Sequence, residues 1–258
     1  MLIQITNRCH MGCSHCMQCS TPDGANRTTG TFFEAVKFAE RSNAHVILLT
    51  GGEPTEHPDF EDMVAICCRK FVMVMITTNG MWIDTPEKVD AMQRLFARYD
   101  NLTMQITNIS KYYPKAVDIQ QIKDLFGCRA FFETERLNLL ALGRAAQDPE
   151  LVRESESSLG TMSCFSSSLV SAQLPYQMAI ANMESRGKFC HPLVDYRGYI
   201  HWSESCQCPS FAHLSDGFDE ICRKAHAWRP CLQCHDAEKL RNNTSVKYQL
   251  AKEILGIK

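Results

Sequence analysis

The strongest constraint on this chain is the order in which two hydrophobic periods alternate through its first half. Residues 2–6 (LIQIT), 45–49 (HVILL), 71–77 (FVMVMIT), 102–106 (LTMQI) and 128–134 (CRAFFET) are short apolar runs of strand type. Between them, residues 31–42, 58–70, 86–98 and 116–125 carry the spacing of amphipathic helices. Pro86 opens one of them at the first helical position, where its missing N–H has no partner to lose. Strand and helix in strict alternation imply βαβ units and a parallel sheet. A closed eight-stranded barrel takes about 250 residues, and the alternation stops near residue 135. A partial barrel or an open α/β sheet is the expected architecture.

The second half is different. Residues 136–188 lose the rhythm and contain a Ser-rich piece, SESSLGTMSCFSSSLVS, expected as a loop. Residues 190–235 crowd aromatic, Cys and His side chains, and 244–257 have helical amphipathic spacing. A chain of 258 residues suits one large domain with a small appendage. The expected division is a core over 1–150, a connecting segment over 151–189, a Cys-rich module over 190–235 and a terminal helix over 236–258. The net charge is −2 with basic residues scattered, which gives no footprint for nucleic acid or an acidic membrane. No apolar run reaches the length of a membrane span. MLIQIT passes directly into polar sequence without a leader, so a cytoplasmic location is expected.

Fourteen cysteines in a cytosolic chain point to metal more than to disulfides, because cytosolic thiols stay reduced. Cys67 and Cys68 lie in an apolar helical stretch and Cys128 in a strand-like run, so all three are expected as buried, inert thiols. Cys9, Cys13, Cys16 and Cys19 crowd the loop after the first strand. In parallel α/β folds that edge of the sheet is where ligands bind. Structural zinc normally takes four closed ligands. Three thiolates from C-x3-C-x2-C suit a [4Fe–4S] cluster with one iron left open.

Three further stretches follow in order. Gly51, Gly52, Glu53 and Pro54 end the second strand, Thr77, Thr78, Asn79 and Gly80 end the third, and Gly143, Arg144 and Ala145 follow the fifth. Glycines allow close backbone approach, and a carboxylate accepts from an ammonium. Together with Cys9, Cys13 and Cys16, these stretches resemble the radical S-adenosylmethionine (SAM) superfamily over residues 2 to about 147. The resemblance implies a partial (β/α)6 TIM-like barrel. It implies a cluster on Cys9, Cys13 and Cys16 whose open iron is chelated by SAM. It implies SAM contacts from Gly51, Gly52, Glu53 and Pro54 and from Thr78 and Asn79. It also implies reductive cleavage of SAM, hydrogen abstraction from a C–H bond, and a reducing partner such as flavodoxin or ferredoxin. No catalytic side chain is assigned.

Cys190, Cys206, Cys208, Cys222, Cys231 and Cys234 form a second group, with a hairpin pattern turning at Gly198 between the first two. The layout resembles the twitch or SPASM extensions of the same superfamily, small Cys-rich α+β modules that bind auxiliary [4Fe–4S] clusters. With no Cys after Cys234, it resembles a shortened one-cluster version. The resemblance implies Cys190, Cys206, Cys231 and Cys234 as ligands, with Cys208 competing with Cys206 and Cys222 packed. Zinc on the same four thiolates is the alternative.

Several residues remain in reserve. Cys19 reads as a loop thiol, with a fourth cluster ligand as the alternative, and His10 as a surface residue or a donor to a cluster ligand. His15 stands where the family often has an aromatic ring near the cluster. Cys164 reads as an idle loop thiol, with hydrogen-atom donor as the alternative. His191, His201 and His213 read as surface or structural histidines. Glu133 and Glu135 end the fifth strand at the active-site edge, and Arg144 is a candidate contact for SAM or a carboxylate. The substrate is expected to be a peptide or a small molecule, an alcohol oxidised to a ketone being one case. A non-catalytic Cys-rich metal-binding protein is the reading from another class.

Overall fold

A computed structural model describes residues 1–42, 44–133, 142–158, 192–202, 206–207 and 210–227. Its strands are β1 (Leu2–Gln4), β2 (Val46–Thr50), β3 (Met73–Thr78), β4 (Leu102–Thr107), β5 (Ala130–Glu133), β6 (Pro192–Val194), β7 (Tyr199–Trp202) and β8 (Ser210–His213). Its helices are α1 (Thr29–Arg41), α2 (Phe60–Lys70), α3 (Pro86–Arg98), α4 (Ile119–Phe126), α5 (Pro149–Ser158) and α6 (Phe218–Ala227). The first five strands and the first four helices fall where the two hydrophobic periods place them. Among the described residues, no helix is long and apolar enough to cross a membrane.

The strands form one sheet in the order β5-β4-β3-β2-β1-β6-β7-β8. All pairs from β5 through β1 to β6 are parallel, and β6-β7 and β7-β8 are antiparallel. The hairpin expected inside the Cys-rich segment thus continues the main sheet, with Leu2 opposite Leu193 and Ile3 opposite Val194. Asp195, Tyr196, Arg197 and Gly198 make its turn.

One face of the sheet is sealed. Ile47, Leu49, Val74, Ile76, Leu102, Met104 and Ile106 are buried and pack with Phe32, Val36, Met63, Val64, Met92, Leu95 and Ile122 from the helices. Burying one such side chain fully is worth about 1.5–3 kcal/mol. The alternate residues Thr50, Met75, Thr77, Thr103, Gln105 and Thr107 are half-buried on the other face. Side chains cap α1 and α4: the Thr28 hydroxyl accepts from the Thr31 N–H at 3.2 Å and the Asp118 carboxylate from the Gln121 N–H at 3.0 Å.

Arg27 joins the sheet's middle to the hairpin, and Asp195 braces the hairpin from within. Arg27 donates from Nε to the Gln4 carbonyl at 2.9 Å, from Nη1 to the Thr31 carbonyl at 3.1 Å and from Nη2 to the Val194 carbonyl at 2.9 Å, and also to the Asp195 carbonyl. The Asp195 carboxylate, fully buried, accepts from the Arg197 side chain at 2.8 and 3.0 Å and from the backbone N–H groups of Arg197 and Tyr199 at 3.0 and 2.9 Å. His201 is also buried, its Nε2 3.4 Å from Asp195.

The cysteine expectations divide. Cys67 and Cys68 are buried in α2 as expected. Cys128 is not: it is exposed in a 3-10 turn, Gly127–Arg129, and the strand begins only at Ala130. The turn that leaves α4 uses up the first residues of the run. The Ser-rich loop and the 244–257 helix lie outside the described residues.

Candidate functional site

The loop after β1 holds the first cysteines, and backbone bonds pin both its ends. On the outgoing side, Gly52 N–H donates to the Thr6 carbonyl and Glu53 N–H to the Arg8 carbonyl, both at 2.8 Å. On the return, Asn7 N–H donates to the Ala25 carbonyl at 2.8 Å, Cys9 N–H to the Thr21 carbonyl at 2.9 Å and Arg27 N–H to the Ile5 carbonyl at 2.8 Å. Inside this frame two successive turns follow, Cys16 N–H donating to the Cys13 carbonyl and Cys19 N–H to the Cys16 carbonyl, both at 3.4 Å. Sulfur atoms already accept backbone bonds: Met11 N–H to Cys9 Sγ at 3.4 Å and Ser20 N–H to Cys16 Sγ at 3.5 Å.

Arg144 clamps the loop from outside. Its N–H donates to the Cys16 carbonyl at 3.0 Å, its Nε to the Cys13 carbonyl at 2.9 Å and its Nη1 to the Ser20 carbonyl at 2.7 Å. Arg144, expected as a contact for SAM or a carboxylate, gives its Nε and Nη1 to loop carbonyls. Gly143, in the left-handed region at φ +57°, makes this approach possible, since a Cβ there would stand 2.8 Å from the Cys16 carbonyl oxygen and 2.9 Å from Cys19 Sγ. Cys19 itself is left-handed, at φ +52°.

The second and third strand ends meet the loop. A Cβ on Gly52 would stand 2.2 Å from the Arg8 carbonyl oxygen and 2.9 Å from Cys9 Cβ. This glycine therefore admits the cysteine loop itself. Glu53 is 2% exposed. Its Oε1 accepts from the Thr55 hydroxyl at 2.7 Å, the Thr55 N–H at 3.2 Å and the Thr78 hydroxyl at 2.7 Å, and its Oε2 from the Asn79 N–H at 2.8 Å. Burial raises its pKa against the pull of these donors. With one donor, Oε2 retains capacity to accept from an ammonium. Pro54 starts a 3-10 turn, Gly51 lies against Thr6, and the Asn79 side chain points its amide at Cys9 Sγ, 3.9 Å away.

His15 is buried, its ring 5.1 Å from that of Tyr112 and 4.8 Å from that of Tyr113. Burial pushes its pKa down to about 4, so the ring is neutral, and its Nδ1 has no hydrogen-bond partner. The tyrosine pair went unread in the sequence, although it follows β4 at the loop's own edge of the sheet. The Tyr113 hydroxyl donates to the Thr107 hydroxyl at 3.1 Å. His10 is a surface residue whose N–H and Nδ1 meet the Glu56 carboxylate at 3.1 and 2.7 Å.

Of the second cysteine group, Cys206 is described and buried beside Leu2 and Leu193, and burial pushes its thiol up to about 11. Cys222 is half-buried in α6 and packs against the core, as expected. Glu133 ends β5 opposite Thr107. His213 is bonded to Ser215 and Arg197 on the hairpin. Cys164, Cys190, Cys208, Cys231, Cys234, His191 and Glu135 lie outside the described residues.

The donor set fits an iron–sulfur cluster. Burial, with Glu53, Glu56 and Cys16 adding, pushes Cys9 up to about 11, and burial, with Cys9 and Cys16 adding, pushes Cys13 up to about 12. Such a crowd of would-be thiolates is stable when a cationic group neutralises it. Among the described residues, no three Cys, His, Asp or Glu side chains converge on a single ion position. A cluster takes each thiolate at a separate iron and does not need them to converge.

The family model described as Radical SAM superfamily matches residues 3–128. The mycofactocin maturase MftC of Mycobacterium tuberculosis (strain CDC 1551 / Oshkosh) is 33% identical over 85 residues, 33% of this chain and 22% of that protein. The PqqA peptide cyclase of Gluconobacter oxydans (strain 621H) is 25% identical over 116 residues, 43% of this chain and 31% of that protein. The match thus spans less than a third of either relative. The crystal structure of BtrN in complex with AdoMet and 2-DOIA superposes with a TM-score of 0.53 at 12% identity, covering 99% of this chain and 87% of that one. It shows a shared α/β fold.

Proposed function

From the radical SAM domain in residues 3–128, we propose that this protein is an enzyme that cleaves S-adenosylmethionine reductively and abstracts hydrogen from a C–H bond of a peptide. The observation that carries this reading is that the loop of Cys9, Cys13 and Cys16 is bonded at the end of a parallel sheet to the stretch that buries Glu53. Cys9, Cys13 and Cys16 hold a [4Fe–4S] cluster, and Arg144 keeps their loop closed around it. A cluster held there would supply the chemistry of a one-electron reduction, the electron coming from the reducing partner. Glu53 takes the SAM ammonium on Oε2, oriented by Thr55, Thr78 and Asn79. Gly51, Gly52 and Pro54 set the backbone of that stretch, and Thr78 and Asn79 border the cofactor. His15, neutral between two tyrosines, walls one side of the loop and helps to exclude water.

The core is a partial (β/α)6 barrel, and residues 190–235 are a twitch-like module. It carries a second [4Fe–4S] cluster on Cys190, Cys206, Cys231 and Cys234. A peptide substrate is supported by the names of two relatives, a maturase and a peptide cyclase. The half-buried face of the sheet, with Thr50, Thr77, Gln105 and Thr107, offers neutral hydrogen-bonding groups beside the site. A flavodoxin or ferredoxin is the electron donor.

Anaerobic reconstitution, a metal count and a search for 5′-deoxyadenosine after reduction with SAM test this. About eight irons per chain with 5′-deoxyadenosine formed are expected. About four irons and one zinc would remove the second cluster, and no iron with no SAM cleavage would overturn the reading.

A further inference from the structure

Gln18 lies in the N-terminal loop between Cys16 and Cys19, yet it is buried. Its Oε1 accepts from the backbone N–H of Cys206 at 2.9 Å. Its carbonyl accepts from the Gln207 side-chain amide at 3.4 Å and from the Cys206 thiol at 3.8 Å. Gln207 also directs the same amide at Cys206 Sγ, 3.7 Å away. One residue of the first cysteine loop thus holds a cysteine 188 positions further along.

The contact is a specific one. Cys206 packs against Leu2 and Leu193, with Leu48 beside them, and these side chains carry no acceptor for its N–H. A buried peptide N–H left without an acceptor costs about 1–3 kcal/mol. Gln18 supplies that acceptor from its side chain, and its backbone follows the turn from Cys16 to Cys19. The place of Cys206 is therefore set by the loop that carries Cys9, Cys13 and Cys16.

We propose that Gln18 is a positioning residue that seats Cys206 against the N-terminal cysteine loop, so that the metal group Cys206 binds is built in register with the first cluster. The metal-binding part of this rests on the second-cluster reading above; the seat itself does not. No electron or proton changes hands in it. The bond orders a ligand before metal arrives.

The test uses the full chain in four forms: wild type, Gln18→Met, Gln18→Glu and Cys206→Ala. Met keeps the volume and removes the acceptor, whereas Glu keeps an acceptor oxygen. Two quantities are read: iron and zinc per chain after anaerobic reconstitution, and alkylation of Cys206 by iodoacetamide in metal-free protein, followed peptide by peptide. Gln18→Met should lose the same metal as Cys206→Ala, about four irons per chain. It should keep the spectroscopic response of the remaining cluster to SAM. Its Cys206 should alkylate roughly tenfold faster, as expected from losing about 1.4 kcal/mol of local order. Gln18→Glu should restore both quantities. Unchanged metal and unchanged alkylation in Gln18→Met would overturn the proposal. So would loss of all iron in both Gln18 variants, which would make Gln18 part of the loop's general fold. A wild type with four irons and no zinc would refute the second cluster alone, and alkylation would still decide the seat.

Discussion

Arg144 Nε donates to the carbonyl of Cys13 at 2.9 Å, across 131 positions of chain. The same guanidinium reaches the Ser20 carbonyl at 2.7 Å, so one side chain closes the cysteine loop at two points. An arginine fork suits this work because its donors are planar and fixed.

Arg144→Ala should therefore loosen the loop without touching a thiol. Hydrogen bonds to a charged donor are worth about 1.5–3 kcal/mol each. Loss of both should speed iron release to a chelator by at least tenfold, while Arg144→Lys, which cannot fork, recovers only part. The rate of bleaching of the cluster's visible absorbance measures this; an unchanged rate would show the clamp to be idle.

Gly52→Ala should fail structurally, because its new methyl would stand 2.2 Å from a backbone oxygen that has no room to yield. Overpacking of this kind costs about 1–3 kcal/mol or more. Thermal unfolding of the purified chain should drop by several degrees and cluster loading should fall. Gly30→Ala, in the first turn of α1 with only the Thr28 hydroxyl 4.0 Å away, is the control and should be neutral or stabilising.

Glu53→Gln keeps acceptor capacity for the threonine hydroxyls and removes the charge. SAM affinity should weaken roughly tenfold or more, a loss of about 1.4 kcal/mol, with the iron count unchanged. Equilibrium binding of SAM to the reconstituted protein reads this. Equal affinity in the variant would place the SAM ammonium elsewhere.

The Asp195 carboxyl makes folding depend on acid. Burial alone would raise its pKa, yet His201, Arg197 and the Tyr199 N–H together hold it below its ordinary value of 3.8. A depressed carboxyl contributes stability that is fully present above the unfolded value and is lost as pH falls through the folded one. The unfolding midpoint should thus be flat near neutrality and decline below about pH 3.8. Asp195→Asn should be less stable at pH 7 and show a shallower decline in acid. Parallel curves for the two proteins would mean that Asp195 is not the group that titrates.

The helix over 86–98 was legible to the residue, because Pro86 marks its start and its apolar spacing continues to Arg98. The cysteine spacing placed three thiols in the loop after β1, and GGEP placed a carboxylate at the end of β2. These are local features, and local sequence carries them. The misreading at Cys128 was local too: a strand-like run hid a 3-10 turn, because side-chain period says little about where a helix exit ends.

Hydrophobic period and motif spacing, then, determined the α/β alternation, the parallel sheet and the residues gathered at its edge. Tertiary structure alone decided that β6 takes the free edge of β1, that Gly52 makes room for Arg8 and Cys9, that Arg144 serves the loop, and that Gln18 receives Cys206. Each of these depends on which strand edge and which carbonyl remain unpaired once the sheet has formed. Such vacancies arise between segments far apart along the chain, and no repeat or spacing within either segment records them.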